Sequence, residues 1–240
     1  MTGYRRILLK LSGQALAGPD RFGLHPQTVR AFAGELSALV ADGRRVAVVV
    51  GAGNLFRGAE GAQVGMDRVT GDHMGMIATV MNALALHSAL AAQGVPARVF
   101  SAIPMAGVAA GFDRERAREE LEAGRVLLLG GGTGNPLFTT DSAAALRAAE
   151  LGVDALLKGT RVDGVFDRDP EKHPDAVRYE RLSYARVLRE DLRVMDTAAF
   201  AICRDARIPL VVFDIHAPGS LVRVARGEPV GTYVGPEVDG

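Results

Sequence analysis

Residues 125–159, RVLLLGGGTGNPLFTTDSAAALRAAELGVDALLKG, contain a strand–helix–strand pattern that indicates the fold. Two apolar runs, 125–130 and 154–159, have the length and composition of buried β-strands. Between them lies a glycine-rich loop, followed directly by a helical pattern over 139–152. A strand, a helix and a second strand in this order predict two parallel strands joined by a crossover helix.

The same alternation runs along the whole chain. Further runs typical of buried strands cover 5–11, 45–50, 97–102 and 208–213. Helical patterns cover 25–43, with Pro26 in the first turn, and 113–124, with Asp113 as N-cap and Gly124 as C-cap. No linker composition separates a second unit. We therefore expect a single α/β domain over 1–240, with a mainly parallel sheet that helices cover on both faces.

Composition excludes several function classes. The 240 residues carry 28 basic and 28 acidic side chains, so no net charge draws the protein to nucleic acid or to an anionic membrane. The N-terminal apolar run is too short for a signal peptide, which predicts a cytoplasmic protein. The most apolar long segment, 73–92, contains polar residues such as Asn82, which favours a buried helix or a subunit interface over a membrane span. Cys203 is predicted to be a core residue.

The loop GGGTGNPLFTTD, 130–141, has the composition of a phosphate-binding loop. Small residues let backbone N–H groups approach phosphate oxygens, and the following helix directs its positive end toward them. No Gly-Lys-Ser/Thr follows, so this is not the common P-loop. A tight turn with Thr140 or Asp141 as the helix N-cap is the alternative. A second glycine loop, GAGN at 51–54, favours phosphate binding, although neither loop completes the dinucleotide-binding fingerprint.

Lysine usage indicates where the missing positive charge lies. The 28 basic residues comprise 25 arginines and only three lysines, namely Lys10, Lys158 and Lys172. Lys10 and Lys158 lie in apolar strand sequences that lead into loops at the strand carboxyl ends, where parallel sheets bind ligands. A buried ammonium group is costly unless an anion opposes it. We interpret both lysines as charge compensation for a transferred phosphoryl group, with an edge-strand position as the alternative.

Several further side chains near these loops are candidates for a site. The acidic ones are Asp72, Asp141, Asp169 and Asp196. Asp141 is expected to orient a lysine or Mg²⁺, while Asp72 either accepts ribose hydroxyl groups or caps the long helix. Arg57 is either a phosphate-binding fork or a surface residue, and Phe166 either stacks on a base or anchors its loop. No nucleophile with an evident base is found, so covalent catalysis is not indicated.

Five segments carry a likeness to a known family. They are ILLKLSG (7–13), GNLFRG (53–58), GDHMGMIATVMN (71–82), GTGNPLFTTDSAA (132–144) and KGTRVDGVFDRDP (158–170). Together they resemble the bacterial uridylate kinases of the amino acid kinase superfamily, from Tyr4 to about Gly231. The resemblance implies a three-layer αβα sandwich with a central, mainly parallel sheet. It also implies Mg²⁺-dependent transfer of the γ-phosphate of ATP to UMP, giving UDP and ADP in pyrimidine nucleotide (UTP and CTP) biosynthesis, without a phosphoenzyme.

The resemblance also implies a role for individual residues. The N-terminal part would bind the acceptor and the C-terminal part ATP. Lys10 and Lys158 would be catalytic and would neutralise the phosphoryl group, while Asp141 would organise them. The residues that would meet ATP are Lys10, Leu11, Ser12, Gly13, Gly53, Arg57, Thr160, Phe166 and Asp169. The residues that would meet UMP are Ala52, Asp72, Thr133, Gly134, Asn135, Pro136, Leu137, Phe138, Thr139 and Thr140. No metal ligand is assigned.

Two departures from the family pattern lie in these motifs. Ala52 stands where the family commonly has glycine, and Gln14 where it has glutamate. The resemblance further implies a homohexamer that UTP inhibits and GTP often activates, with 18–23 as the matching regulatory stretch. The alternatives are a non-catalytic nucleotide sensor or storage protein of the same fold, and a kinase for another small acceptor.

Overall fold

The computed structural model describes residues 3–56, 65–170, 172–192 and 194–236. The α-helices in these ranges are α1 (Gln14–Ala17), α2 (Pro26–Ala41), α3 (Arg68–Ala91), α4 (Arg114–Glu122), α5 (Thr140–Leu151), α6 (Tyr184–Arg189), α7 (Thr197–Asp205) and α8 (Ser220–Ala225). The strands are β1 (Arg6–Leu11), β2 (Arg45–Val50), β3 (Ala97–Ser101), β4 (Ala110–Gly111), β5 (Val126–Gly130), β6 (Ala155–Thr160), β7 (Val165–Phe166), β8 (Arg178–Tyr179), β9 (Arg181–Ser183), β10 (Leu210–Asp214) and β11 (Thr232–Gly235).

Nine strands form one central sheet in the order β4-β3-β5-β2-β1-β6-β10-β11-β9. Every neighbouring pair is parallel except β10 and β11, which run antiparallel. The strands β7 and β8 form a separate antiparallel hairpin within the polar segment 161–180. The prediction of a mainly parallel sheet is confirmed.

Side chains alternate between two hydrophobic cores, one on each face of the sheet. On β1, Ile7, Leu9 and Leu11 pack into the first core with residues of α2, α3 and α8, while Leu8 packs into the second with residues of α4, α5 and α7. Alternation with both faces buried explains why the strands are almost entirely apolar. The predicted three-layer αβα sandwich is therefore confirmed.

The helix α3 forms part of the first core. It is long and apolar enough, by length and composition alone, to cross a membrane. It packs against α2, β3 and β5, and Leu86 and Leu90 are completely buried. Its opposite side bears Met74, Ile77 and Met81, each at least 40% exposed. The helix is therefore half core and half apolar surface, as the sequence predicted for a buried helix or a subunit interface.

Helix starts differ from the sequence prediction at two positions. Thr139 caps α5, since its hydroxyl accepts from the N–H groups of Asp141 and Ser142, so the alternative in which Thr140 or Asp141 caps the helix is wrong. Asp67 caps α3 by accepting from the Thr70 N–H, which overturns the capping alternative for Asp72. Neither the Asp141 nor the Asp72 carboxylate is therefore used as a helix cap. Cys203 is a buried free thiol, as predicted, and burial raises its pKa to about 12.

Candidate active site

Four parallel strands end at the same edge of the sheet, and each leads into a loop. Residues 12–13 follow β1, 51–56 follow β2, 131–139 follow β5 and 161–164 follow β6. Near these strand ends, strand pairing brings two lysine side chains to one level. Lys10 of β1 and Lys158 of β6 are direct partners in the parallel register of the two strands.

Asp141, in the first turn of α5, bridges the two lysines. Its Oδ1 lies 2.7 Å from Lys10 Nζ, and its Oδ2 lies 2.8 Å from Lys158 Nζ. The Lys10 contact is an ion pair without hydrogen-bond alignment, because Oδ1 has no hydrogen-bond partner of good geometry. The side chains of Lys10, Asp141 and Lys158 are only 13%, 13% and 15% exposed. The sequence-predicted catalytic residues are thus a compact, largely buried cluster.

Electrostatics favour an anion at this cluster. Burial raises the pKa of Asp141, but Lys10 and then Lys158 lower it, and the net pKa lies below the ordinary value. Burial also lowers the pKa of Lys158, which Asp141 opposes and Lys10 reinforces, so this pKa too lies below its ordinary value. Lys10 and Lys158 both form their ion pair with the same carboxylate, that of Asp141. With both lysines protonated, the three side chains together carry one positive charge, which the nearby Asp196 carboxylate partly offsets.

A second contact fixes Lys158 from the side of α7. Lys158 Nζ donates to the Val194 carbonyl oxygen over 2.6 Å. Nearby, Asp196 caps α7 and accepts hydrogen bonds from Ser142 Oγ over 3.0 Å and from Thr139 Oγ1. The segment 194–196 therefore joins the start of α7 to the start of α5. The sequence indicated Asp196 as a candidate without a role, and it gave no signal for the Val194 carbonyl.

The glycine loop after β5 packs tightly on α3. A Cβ on Gly130 would lie 2.9 Å from Val80 Cγ2, and one on Gly131 would lie 2.8 Å from the Ala102 nitrogen. The Gly131 N–H donates to the buried Thr79 hydroxyl over 2.8 Å. Glycine is required here because a side chain on Gly130 would meet α3, and one on Gly131, which has a positive φ of 77°, would meet the backbone after β3. The loop is therefore held at a fixed distance from α3.

One cavity of about 360 Å³ lies between this loop, the 51–54 loop and the start of α3. Among the predicted UMP-binding residues, Ala52, Asp72, Phe138, Thr139 and Thr140 line it. Gly53, which the resemblance assigned to ATP, also lies at this cavity. The remaining predicted UMP-binding residues, Thr133, Gly134, Asn135, Pro136 and Leu137, belong to the same loop but are not part of the cavity wall.

Asp72 lies at the wall of this cavity and holds the loop. Its Oδ2 accepts from the Leu137 N–H over 2.8 Å, and its Oδ1 lies 2.9 Å from Arg68 Nε. Partial burial raises the pKa of Asp72, but the Leu137 N–H and Arg68 lower it, and the net pKa is below the ordinary value. Leu137 itself has a positive φ of 73° and is 66% exposed. Asp72 is thus an ionised acceptor at the cavity.

Two further cavities share no lining residue with the 360 Å³ cavity, and Lys158 and Thr160 line both. One, of about 280 Å³, is lined by Lys10, Ser12, Gln14, Arg161 and His216, among others. The other, of about 550 Å³, includes Phe166 and Asp169. The predicted ATP-binding residues Lys10, Ser12, Thr160, Phe166 and Asp169 therefore line adjoining space. Arg161 and His216 were missed by the sequence interpretation.

The other predicted ATP-binding residues are placed differently. The side chain of Leu11 is completely buried in the first core, which leaves only its backbone for a ligand. Gly13 packs against Gly51 and the Asn54 side chain. Arg57 lies outside the described residues. A separate cavity of about 610 Å³, lined by His87, Arg98 and the segment 104–111, is not lined by either lysine.

A metal ion has few protein donors here. Among the described residues, no group of three or more His, Cys, Asp or Glu side chains is arranged to hold one. Mg²⁺ is usually bound through one or two carboxylates together with substrate phosphates and water. Asp169 lines the cavity of about 550 Å³, whereas both oxygens of Asp141 are engaged by the two lysines. This donor set fits an ion that arrives bound to a nucleotide.

Comparisons with known proteins agree with this geometry. The profile of the amino acid kinase family matches residues 5–214. The uridylate kinase of Xanthomonas oryzae pv. oryzae is 55% identical over 231 residues, which are 96% of each chain. Among solved structures, UMP kinase from Bacillus anthracis has a TM-score of 0.95 at 37% identity, with 98% of both chains covered. UMP kinase from Ureaplasma parvum has a TM-score of 0.91 at 36% identity and covers 96% of this chain and 98% of its own.

Proposed function

The chain belongs to the amino acid kinase family, and on that premise we propose that it is a UMP kinase. It transfers the γ-phosphoryl group of ATP to UMP, giving UDP and ADP in the synthesis of UTP and CTP. The observation that carries this proposal is the Lys10–Asp141–Lys158 cluster: both lysines line the 280 Å³ cavity, and Thr140, which precedes Asp141, lines the 360 Å³ cavity. The identity of 55% with a uridylate kinase supports the choice of UMP as the acceptor.

The chemistry needs charge compensation more than proton transfer. A phosphate monoester is largely dianionic at neutral pH, so the attacking oxygen of UMP needs no general base. Charge develops on the transferred group and the leaving oxygen, and Lys10 and Lys158 neutralise it from fixed positions. Asp141 is a poor base, because two ammonium groups lower the pKa of its carboxyl. It keeps both lysines in place and prevents their mutual repulsion from separating them.

Lys158 is prepared for a ligand by its two protein contacts. An ammonium group has three N–H donors. Among the described residues, two of them meet Asp141 Oδ2 and the Val194 carbonyl, which leaves a third for a phosphoryl oxygen. Because the side chain is already oriented, little conformational freedom is lost when the substrate binds. The parallel pairing of β1 and β6 places Lys10 directly beside Lys158.

UMP lies in the 360 Å³ cavity in this proposal. Asp72 accepts hydrogen bonds from the ribose, and the glycine loop with Thr139 and Thr140 faces the acceptor phosphate. The positive end of α5 adds to the binding of that phosphate. Ala52 lines the same cavity and adds one methyl group where the family commonly has glycine.

ATP lies across the other two cavities. Lys10, Ser12 and Gly13 meet its phosphates, Thr160 and Phe166 meet the nucleoside part, and Asp169 lines the same space. Leu11, Gly53 and Arg57 are assigned to ATP by resemblance alone. Mg²⁺ would be brought by ATP and held by its phosphates, with Asp169 as a protein carboxylate in the same cavity, and it would help to neutralise the phosphate charge. Gln14 lines the phosphate side, so the exchange of the family's glutamate for glutamine removes one negative charge there. A single domain over 1–240 carries both halves of the site.

Assembly and regulation complete the proposal. The exposed Met74, Ile77 and Met81 of α3 support a homo-oligomer, and the resemblance extends this to a homohexamer. UTP inhibition and GTP activation, with 18–23 as the responsive stretch, rest on the resemblance alone. The neutral net charge supports a protein that acts in the cytoplasm without binding nucleic acid or membrane.

The test is ADP release measured with UMP, CMP, dUMP and aspartate as acceptors. We expect UMP to be phosphorylated roughly ten- to a hundredfold better than CMP or dUMP. The reason is that dUMP lacks the 2′-hydroxyl, and CMP presents an amino group and an unprotonated N3 where UMP presents a carbonyl oxygen and an N–H. Turnover of aspartate would instead identify a kinase for another small acceptor. Binding of ATP and UMP without ADP release would identify a non-catalytic nucleotide sensor or storage protein.

A further inference from the structure

Asn54 and Asn82 form a buried pair between the loops that face the phosphates. Asn54 ends the GAGN loop after β2, and Asn82 lies in the middle of α3. Both residues are 0% exposed, in a fold where buried amide side chains need partners. Neither residue lines the acceptor cavity or the cavities on the ATP side.

The two amides bond to each other and to one carbonyl each. Asn54 Nδ2 donates to Asn82 Oδ1 over 3.0 Å, and Asn82 Nδ2 donates to Asn54 Oδ1 over 2.8 Å. The second hydrogen of Asn82 Nδ2 meets the Gly51 carbonyl over 2.7 Å, and that of Asn54 Nδ2 meets the Gly23 carbonyl over 2.7 Å. Because carbonyl oxygens only accept hydrogen bonds, these contacts fix the orientation of both amides.

The pair connects loops that are far apart in sequence. Gly13, in the turn after the Lys10 strand, packs on Asn54 Oδ1 and on the Gly51 carbonyl so closely that a Cβ would not fit. A Cβ on Gly51 would lie 3.2 Å from the Gly13 nitrogen and 3.3 Å from Thr140 Oγ1. The Gly23 N–H returns a hydrogen bond to the Asn54 carbonyl over 2.7 Å. The 51–54 loop is therefore the shared wall between the turn after β1 and the start of α5.

We propose that the Asn54–Asn82 pair is a positioning device for phosphoryl transfer. The pair fixes the distance of the 51–54 loop from α3. Because Gly13 and Thr140 both pack on this loop, the pair thereby also fixes the distance between them. The inference rests on the proposed function, since it assigns ATP to the first of these elements and UMP to the second. A misplacement of about 1 Å between reacting groups costs roughly a hundredfold in rate, so a rigid wall between the two substrates is valuable.

Stability alone does not account for the pair. Two hydrogen-bonded buried amides can be replaced by apolar groups of similar shape at nearly neutral cost, whereas removal of one partner leaves the other unsatisfied. An apolar pair would fill the same space but would leave the Gly51 and Gly23 carbonyls without these donors, so only part of the lost stability would be recovered. The amides therefore supply orientation of the loop, which a leucine pair lacks.

The experiment compares Asn54→Leu, Asn82→Leu and the double variant with the parent chain. Thermal melts, kcat and the KM values for ATP and UMP are measured for each. The matched control is Tyr184→Phe, which removes another buried hydrogen bond to a backbone carbonyl, that of Ile208, outside both loops. We expect both single variants and the control to melt at lower temperature, and the double variant to recover part of the loss.

Turnover separates positioning from packing. We expect kcat of the double variant to remain roughly 10- to 100-fold below that of the parent, while Tyr184→Phe keeps the parental kcat. A double variant that recovers both melting temperature and kcat would overturn the proposal, as would folded single variants with parental kcat. If the parent chain itself does not phosphorylate UMP, the proposed function fails first. A parent that turns over normally beside unaffected variants rejects only the role of the amide pair.

Discussion

Replacement of each lysine by arginine tests the charge cluster directly, because arginine keeps the charge and changes its shape. Lys10 and Lys158 are 13% and 15% exposed, and Lys158 Nζ is held between two acceptors at 2.8 and 2.6 Å. A planar guanidinium group is broader than an ammonium group and cannot occupy that space without displacing its neighbours. We expect Lys10→Arg and Lys158→Arg to fold with their new side chains turned out of the cluster.

The magnitude follows from the lost contact. A unit charge about 4 Å from a phosphoryl oxygen is worth about 4 kcal/mol at an effective dielectric constant of about 20. Loss of one fixed electrostatic contact in enzymes commonly costs about 3 to 4 kcal/mol in the barrier, or roughly a hundred- to a thousandfold in kcat. We therefore expect kcat of each variant to fall by that factor, with smaller changes in the KM for UMP.

The assay is ADP release at saturating ATP and UMP, together with thermal melts of each variant. Lys172→Arg is the matched control outside the cluster, because Lys172 is 77% exposed. It lines the 550 Å³ cavity and pairs with Asp169, so its KM for ATP is measured as well and its kcat is compared at saturating ATP. Its kcat should equal that of the parent. If folded Lys10→Arg and Lys158→Arg turn over like the parent, the lysines are structural, and the charge compensation proposed for the reaction is refuted.

Three other predictions use the acceptor cavity, the surface of α3 and the titration of Lys158. Asp72→Asn should raise the KM for UMP roughly ten- to a hundredfold and that for ATP much less, as steady-state kinetics will measure; equal effects would place Asp72 outside the acceptor site. The parent should elute well above its chain mass of 25.3 kDa, and Ile77→Glu should shift it to smaller size, whereas Val177→Glu, on another exposed apolar residue, should not. A monomeric, active parent would contradict the assembly. The pH dependence of kcat/KM reports ionisations of the free enzyme, and the pKa of Lys158 is lowered from 10.5. As the pH rises, kcat/KM for ATP should therefore fall at a pH below 10.5, where Lys158 loses its proton. A profile that stays level up to pH 10.5 would contradict a role for protonated Lys158.

The sequence predicted the elements of the fold well because they depend on local patterns. The strand at 126–130 is predicted by its continuous apolar run, and the helix at 140–151 by its helical pattern and by the residues at its ends. The short strands β4, β7, β8, β9 and β11 were not predicted. Two to four residues are too few to show a period, and their pairing is decided by the strands beside them.

The site could be predicted only in part, because its contacts join strands that are not consecutive. Lys10 and Lys158 are each conspicuous in sequence, but their common level follows from the register of β1 against β6. The position of Asp141 between them depends on a cap one residue earlier than expected, at Thr139.

Asn54 and Asn82 show the same limit more strongly. An amide in an apolar helix has no local signature that separates a solvent-facing side chain from a buried one. Its partner lies 28 positions away in a loop whose own shape depends on the contact. A single buried amide costs stability, whereas a reciprocal pair is satisfied, so the sign of the effect is a property of the pair. Sequence reasoning that weighs one residue at a time sees only the cost, and the function of such a pair becomes visible when both partners and the carbonyls they hold are known.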